Sequence, residues 1–139
     1  MKFVFAKEAS EQNSEFVFSV KPKKRVDTLV ICAADTYTVY IDGEFRAYGP
    51  ERTAAGYSRE KIIHLDNPSL VEIKVLANNV PNYEVDFQKA FFGAELYSLG
   101  ELVYSSEDFI CEIECERMTA MPRFDVQRNF IEGFILEKT

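Results

Sequence analysis

Arg46, Tyr48, Arg52 and Tyr57 stand within one short, turn-rich stretch of the chain, and together they could hold a sugar. An aromatic ring offers an electron-rich face to the apolar C–H side of a pyranose, and a guanidinium donates to hydroxyl oxygens. Arg59 lies in the same stretch, and Tyr40 and Tyr83 sit on outward faces or beside expected loops. The competing reading is structural: sandwich proteins use Tyr at strand edges, and the arginines could equally form salt bridges to another domain. The chain has no Trp, which weighs against a strong stacking platform.

Other chemistries find less support. A zinc site needs about four converging Cys, His or carboxylate ligands. Cys111 and Cys115 fall on one strand face roughly 13 Å apart at ~3.3 Å per residue, too far to share an ion. His64 is the only histidine. It could pair with Asp66, but no nucleophile stands near it in the pattern that acyl transfer requires. Glycoside hydrolysis needs two carboxylates across a cleft, and spacing nominates none of the 23 acidic residues. The glycines are scattered over turns rather than gathered in a phosphate loop. No catalytic residue, metal or cofactor is therefore expected.

The charge balance agrees. A net charge of −7 repels phosphate backbones. The basic run Lys21-Pro22-Lys23-Lys24-Arg25 reads as a solvated turn rather than a polyanion patch, so no nucleic-acid partner is expected. No stretch reaches the ~18–20 apolar residues of a membrane span, and none is expected to cross one. The N-terminal Phe3-Val4-Phe5-Ala6 run is too short for an export signal. Cys32, Cys111 and Cys115 lie inside apolar runs and read as reduced, buried thiols, which points to a cytoplasmic protein.

Positioning these residues falls to strands. The 139 residues suffice for one domain, and 12 Phe and 7 Tyr give it core material. Apolar residues repeat mostly at two-residue spacing. Strands are expected over 15–20, 26–34, 36–41, 44–48, 61–65, 70–77, 92–97, 101–104 and 109–115. Phe109, Cys111, Ile113 and Cys115 share one face of the last of these. Asp42-Gly43 supplies a hairpin turn, and Leu99-Gly100 marks another. Tyr83 to Ala90 fits either a short helix or an extended segment. Short strands with turns every ~8–12 residues argue for an all-β, antiparallel β-sandwich.

At the hairpin the chain resembles a known family. The run from Ala33-Ala34-Asp35 through Tyr37-Thr38-Val39-Tyr40-Ile41-Asp42-Gly43 to Gly49-Pro50-Glu51-Arg52 is similar to the N-terminal β-sandwich of bacterial α-L-rhamnosidases, glycoside hydrolase family 78. That family has an alanine-aspartate pair, "Y-x-V/L-Y-V/I-N/D-G", a strand, and "G-P-x-R". Val71 to Ala77 and Phe91 to Leu96 look like later strands of that sandwich, and Val126 to Glu132 looks like its closing "Q-R-x-F-x-E". Asp42 stands where Asn is commoner, and Phe109 where the family often has Trp. Similar hairpins occur in the jelly rolls of β-galactosidases and β-glucuronidases.

The resemblance implies a jelly-roll, galactose-binding-like fold, with residues 1–139 forming one sandwich domain at the N-terminus of a larger glycoside hydrolase. It implies a non-catalytic accessory role, because the family's acid and base belong to a separate helical barrel. The partners it implies are the other domains of the parent glycosidase and a rhamnose-containing carbohydrate. The alternatives are a carbohydrate-binding module with its own weak sugar affinity and a domain of a β-galactosidase/β-glucuronidase-type glycosidase.

Overall fold

The computed structural model describes residues 1–4, 14–51, 57–77 and 91–113. Expectations on Arg52, Tyr83–Ala90, Cys115 and the Val126–Glu132 motif lie outside the described residues. The strands are β1 (Ser14–Val20), β2 (Thr28–Ala34), β3 (Thr36–Ile41), β4 (Glu44–Gly49), β5 (Lys61–His64), β6 (Val71–Ala77), β7 (Phe91–Ser98), β8 (Glu101–Tyr104) and β9 (Ile110–Ile113). They form two antiparallel sheets packed as a sandwich. One has the order β4-β3-β6-β1-β9, and the other β5-β2-β7-β8. Only β3–β4 and β7–β8 are hairpins within a sheet. The other connections between these strands cross to the opposite sheet, as in a jelly roll.

The two-residue period becomes burial directly. On β1, Phe16, Phe18 and Val20 are buried; on β6, Val71, Ile73 and Val75 are fully so; on β3, Tyr37 and Val39. The opposing sheet contributes Leu29, Ile31 and Ala33 from β2 and Phe92, Ala94 and Leu96 from β7. Each large apolar side chain so buried stabilises the fold by about 1.5–3 kcal/mol. The sheets meet ring to ring: Phe18 stacks on Phe92 with centroids 3.9 Å apart and planes within 6°. Phe109 meets Phe92 edge-on at 5.3 Å. The near-continuous apolar run of β2 is explained as well, since Cys32 and Ala34 are buried along with the inward residues.

Both expected turns form, with Asp42 and Gly43 at φ 51° and 83°, and Leu99 and Gly100 at 51° and 81°. These are the positive-φ pairs that match the twist of a two-residue hairpin. Aspartate tolerates that region and puts its carboxylate to use. Asp42 Oδ1 accepts the N–H groups of Ser69 and Leu70 at 2.8 Å each, and its own N–H donates to Leu70 O at 2.9 Å. The hairpin turn thus holds the entry to β6. Leucine is a poor left-handed residue, and Leu99 is secured from outside, its N–H donating to Asp27 Oδ2 at 2.8 Å. The Asp27 backbone also bonds Tyr97 O and Leu65 N, so one residue ties β2, β5 and β7 together at one end. The Leu99 N–H, with the Thr28 hydroxyl, holds the Asp27 carboxyl below its ordinary value of 3.8.

Two sequence expectations are corrected at β9. A 3-10 turn at Ser106–Asp108 precedes that strand, and Phe109 turns into the core at 8% exposure while Cys111 is exposed. Cys111 pairs with the buried Phe18, so it has inward parity. However, among the described strands β9 lies at the edge of its sheet, beside β1. Of the two described cysteines, Cys32 is the buried one. Ser106 was not singled out by any pattern. It is buried in the 3-10 turn, with its hydroxyl donating to Lys2 O at 2.5 Å and accepting the Ala94 N–H at 2.9 Å. It anchors the N-terminal segment, whose Val4 pairs with Phe92. The Lys21–Arg25 run is a solvated connection, its three lysines and its arginine exposed. No helix among the described residues is long and apolar enough to cross a membrane.

Two predictions follow from the turns. Replacing Asp42 with Ala removes two acceptors and a residue suited to positive φ, and should cost about 1–2 kcal/mol in urea unfolding. Asp42→Asn should keep most of that stability. For Asp27, folding lowers the carboxyl pKa, so its contribution is present above pH 3.8 and is lost as pH falls through the folded value. Asp27→Asn should therefore differ from wild type near neutrality and converge with it in thermal melts below that pH.

Candidate functional site

The sequence-nominated residues of β4 are placed by a β-bulge. In the β3–β4 ladder Val39 pairs with Ala47 and Tyr40 with Phe45, so Arg46 is an extra residue with no Cα partner of its own. The bulge changes the side-chain parity of the strand. Residues three apart on a regular strand point to opposite faces. Here Phe45 and Tyr48 both point outward, at 59% and 71% exposure.

The result is an aromatic row on the outer face of the five-stranded sheet. Phe45 and Tyr48 lie with ring centroids 6.3 Å apart and planes 30° from parallel. Tyr40 meets Phe45 edge-on at 6.4 Å. From the neighbouring β6, the Lys74 ammonium sits over the Tyr40 ring, 5.3 Å from its centroid. Beside this row is an open depression of about 200 Å³, lined by Glu15, Thr36, Tyr37, Thr38, Tyr40, Lys74 and Leu76. The Tyr37 side chain itself turns inward, and burial pushes its hydroxyl up to about 12, so it stays protonated and neutral in the core. The side chains around the depression thus combine two hydroxyls, one acid, one base and an aromatic wall.

Arg46 is occupied by the scaffold. Its Nη2 donates to His64 O at 2.7 Å, reaching from β4 at the edge of one sheet to β5 at the edge of the other. Lys61 makes the reciprocal link, donating to Tyr48 O at 3.2 Å and pairing with Glu51 at 3.5 Å. These contacts close the seam between the two edge strands. Gly49 follows, packed so closely on Tyr37 that a Cβ would lie 2.5 Å from the phenol ring. That close approach accounts for glycine in the Gly49-Pro50 pair.

Tyr57 is exposed in the stretch leading to β5, on the other sheet, and Arg52 lies outside the described residues. The structure therefore brings Tyr48 together with Tyr40 and adds Phe45 and Lys74, which no sequence pattern nominated. Strict alternation would send Phe45 or Tyr48 inward, so only the bulge reveals the pair. Among the described residues, no group of three or more His, Cys, Asp or Glu converges to hold a metal. His64 is exposed and enters the seam through its backbone carbonyl.

Truncating Arg46 to Ala should cost about 1 kcal/mol in chemical denaturation, because the bond lost is charge-assisted but exposed. Unchanged stability would show that the seam does not depend on it.

No family model matches the sequence, and no curated protein matches it. Among solved structures, the fold is similar to the crystal structure of a glycoside hydrolase family 78 rhamnosidase of Bacillus sp. GL1, with a TM-score of 0.68 and 17% sequence identity. The match covers 83% of this chain and 13% of that enzyme. At this identity the likeness is one of fold.

Proposed function

We propose that this chain is a non-catalytic β-sandwich domain of an α-L-rhamnosidase-type glycoside hydrolase, packing beside a separate catalytic domain and lining part of its carbohydrate cleft. The observation that carries the reading is the extent of the likeness. It takes in 83% of this chain and only 13% of a rhamnosidase, as expected of one module among several. The hairpin from Ala33 to Arg52 supports the same family independently of the fold.

The surface suited to a neighbouring domain is the outer side of the four-stranded sheet. Ile62 on β5 and Leu102 on β8 are 63% and 53% exposed there. Apolar side chains of this kind gain about 25 cal/mol per Å² when covered. A cytoplasmic location belongs to the same proposal, supported by Cys32, a buried thiol outside any disulfide.

Incubating the chain with an aryl α-L-rhamnoside should release no phenol above the buffer rate, and the reading frame flanking it in the genome should encode a glycosidase catalytic domain. Rhamnoside turnover by the chain itself, or flanking sequence without a hydrolase domain, would overturn the reading.

A further inference from the structure

We propose that the outer face of the five-stranded sheet is a binding site for a neutral pyranose, with Phe45 and Tyr48 as the stacking platform and the depression beside Tyr40 receiving its hydroxyls. The inference rests on the domain reading above and gives that domain a ligand-contacting surface distinct from its packing face.

Three features of the geometry carry it. The first is the bulge at Arg46, which brings Phe45 and Tyr48 to one face and is held by the bond from Arg46 to His64 O. Two large rings kept in the open at 59% and 71% exposure contribute little to the core. They form a platform on a strand edge that Arg46 and Lys61 tie to β5. The second is what lies next to the rings. Thr36, Thr38, Glu15 and Lys74 surround the depression with hydroxyl, carboxylate and ammonium groups, with Tyr40 as its aromatic wall. A pyranose has this complementary character, an apolar C–H face and a rim of hydroxyls that both donate and accept. The third is charge. Glu15 and Lys74 are one acid and one base, so the lining favours neither an anion nor a cation, and the net charge of −7 disfavours a polyanion.

Among the occupants such a face could take, a protein partner would be served by contiguous apolar surface. Here the rings border a polar recess; of the exposed aliphatic residues, Ile62 and Leu102 lie on the opposite sheet, and Ile110 lies on β9, separated from the rings of β3 and β4 by β6 and β1. The sugar-contacting residues are thus Phe45 and Tyr48 as the platform, with Tyr40, Lys74, Thr36, Thr38 and Glu15 around the depression, and Arg46 positions the two β4 rings through the bulge.

The test is a titration of the 139-residue chain with L-rhamnose, a rhamnose-terminated oligosaccharide, galactose and glucose, each to millimolar concentration, followed by amide shifts. Saturable shifts should centre on β3, β4 and β6 around Tyr40, Phe45, Tyr48 and Lys74. Phe45→Ala and Tyr48→Ala should each weaken binding about tenfold, the scale of one lost stacking contact with its buried area. Ile62→Ala, on the opposite face, should leave binding unchanged. Retained dispersion of the core amides in each variant separates lost contact from lost fold. Absence of saturable shifts with every sugar, or shifts centred away from this face, would overturn the site while leaving the accessory-domain reading intact. Binding of galactose or glucose with rhamnose silent would keep the site and overturn the rhamnosidase assignment.

Discussion

The fold depends on two sheets being pressed together through aromatic rings at their centre. Phe18 from one sheet and Phe92 from the other lie face to face at 3.9 Å, and Phe109 closes on Phe92 from the side. Both rings are essentially inaccessible. Their strands are not chain neighbours: five strands lie between β1 and β7 in sequence, and most connections between strands cross from sheet to sheet. These crossings tether the sheets without packing them, and burial of the shared layer provides the drive that presses them together. Ser106 extends the same joint by bonding both β7 and the N-terminal segment at its rim.

A sandwich leaves edges, and this one manages them unequally. At the β4–β5 side, Arg46 and Lys61 reach across from one sheet to the other and bind backbone carbonyls, consuming acceptors that an exposed edge would offer to another chain. The bulge that Arg46 occupies adds local twist and further blunts that edge. Its second effect is the aromatic row: the device that protects the edge also sets the rings of Phe45 and Tyr48 side by side. At the far side, β9 is the last strand among the described residues, and Ile110, Cys111 and Glu112 on it are exposed.

Much of this was legible in the residues. The Asp42-Gly43 hairpin, the Leu99-Gly100 turn and the inward sets of β1, β3 and β6 were readable because each depends on nearest neighbours: positive φ at two residues, or alternation along one strand. Tyr48 and Tyr40 were likewise visible as outward aromatics. The reading failed where a residue's environment comes from elsewhere in the chain. Cys111 has the parity of a buried residue yet is exposed, on a strand that among the described residues lies at the edge of its sheet. Phe45 joined the platform only through a bulge that no spacing records. Arg46, nominated for a ligand, bonds a carbonyl 18 residues away.

By itself, then, the sequence determined an acidic, all-β sandwich with a particular hairpin, since strand period and turn chemistry are local properties encoded residue by residue. Tertiary structure alone decided which strands became edges, which aspartate bound which amide, and which face received the exposed rings. Those outcomes depend on register between strands distant in sequence, where one extra residue reverses the direction of every side chain beyond it.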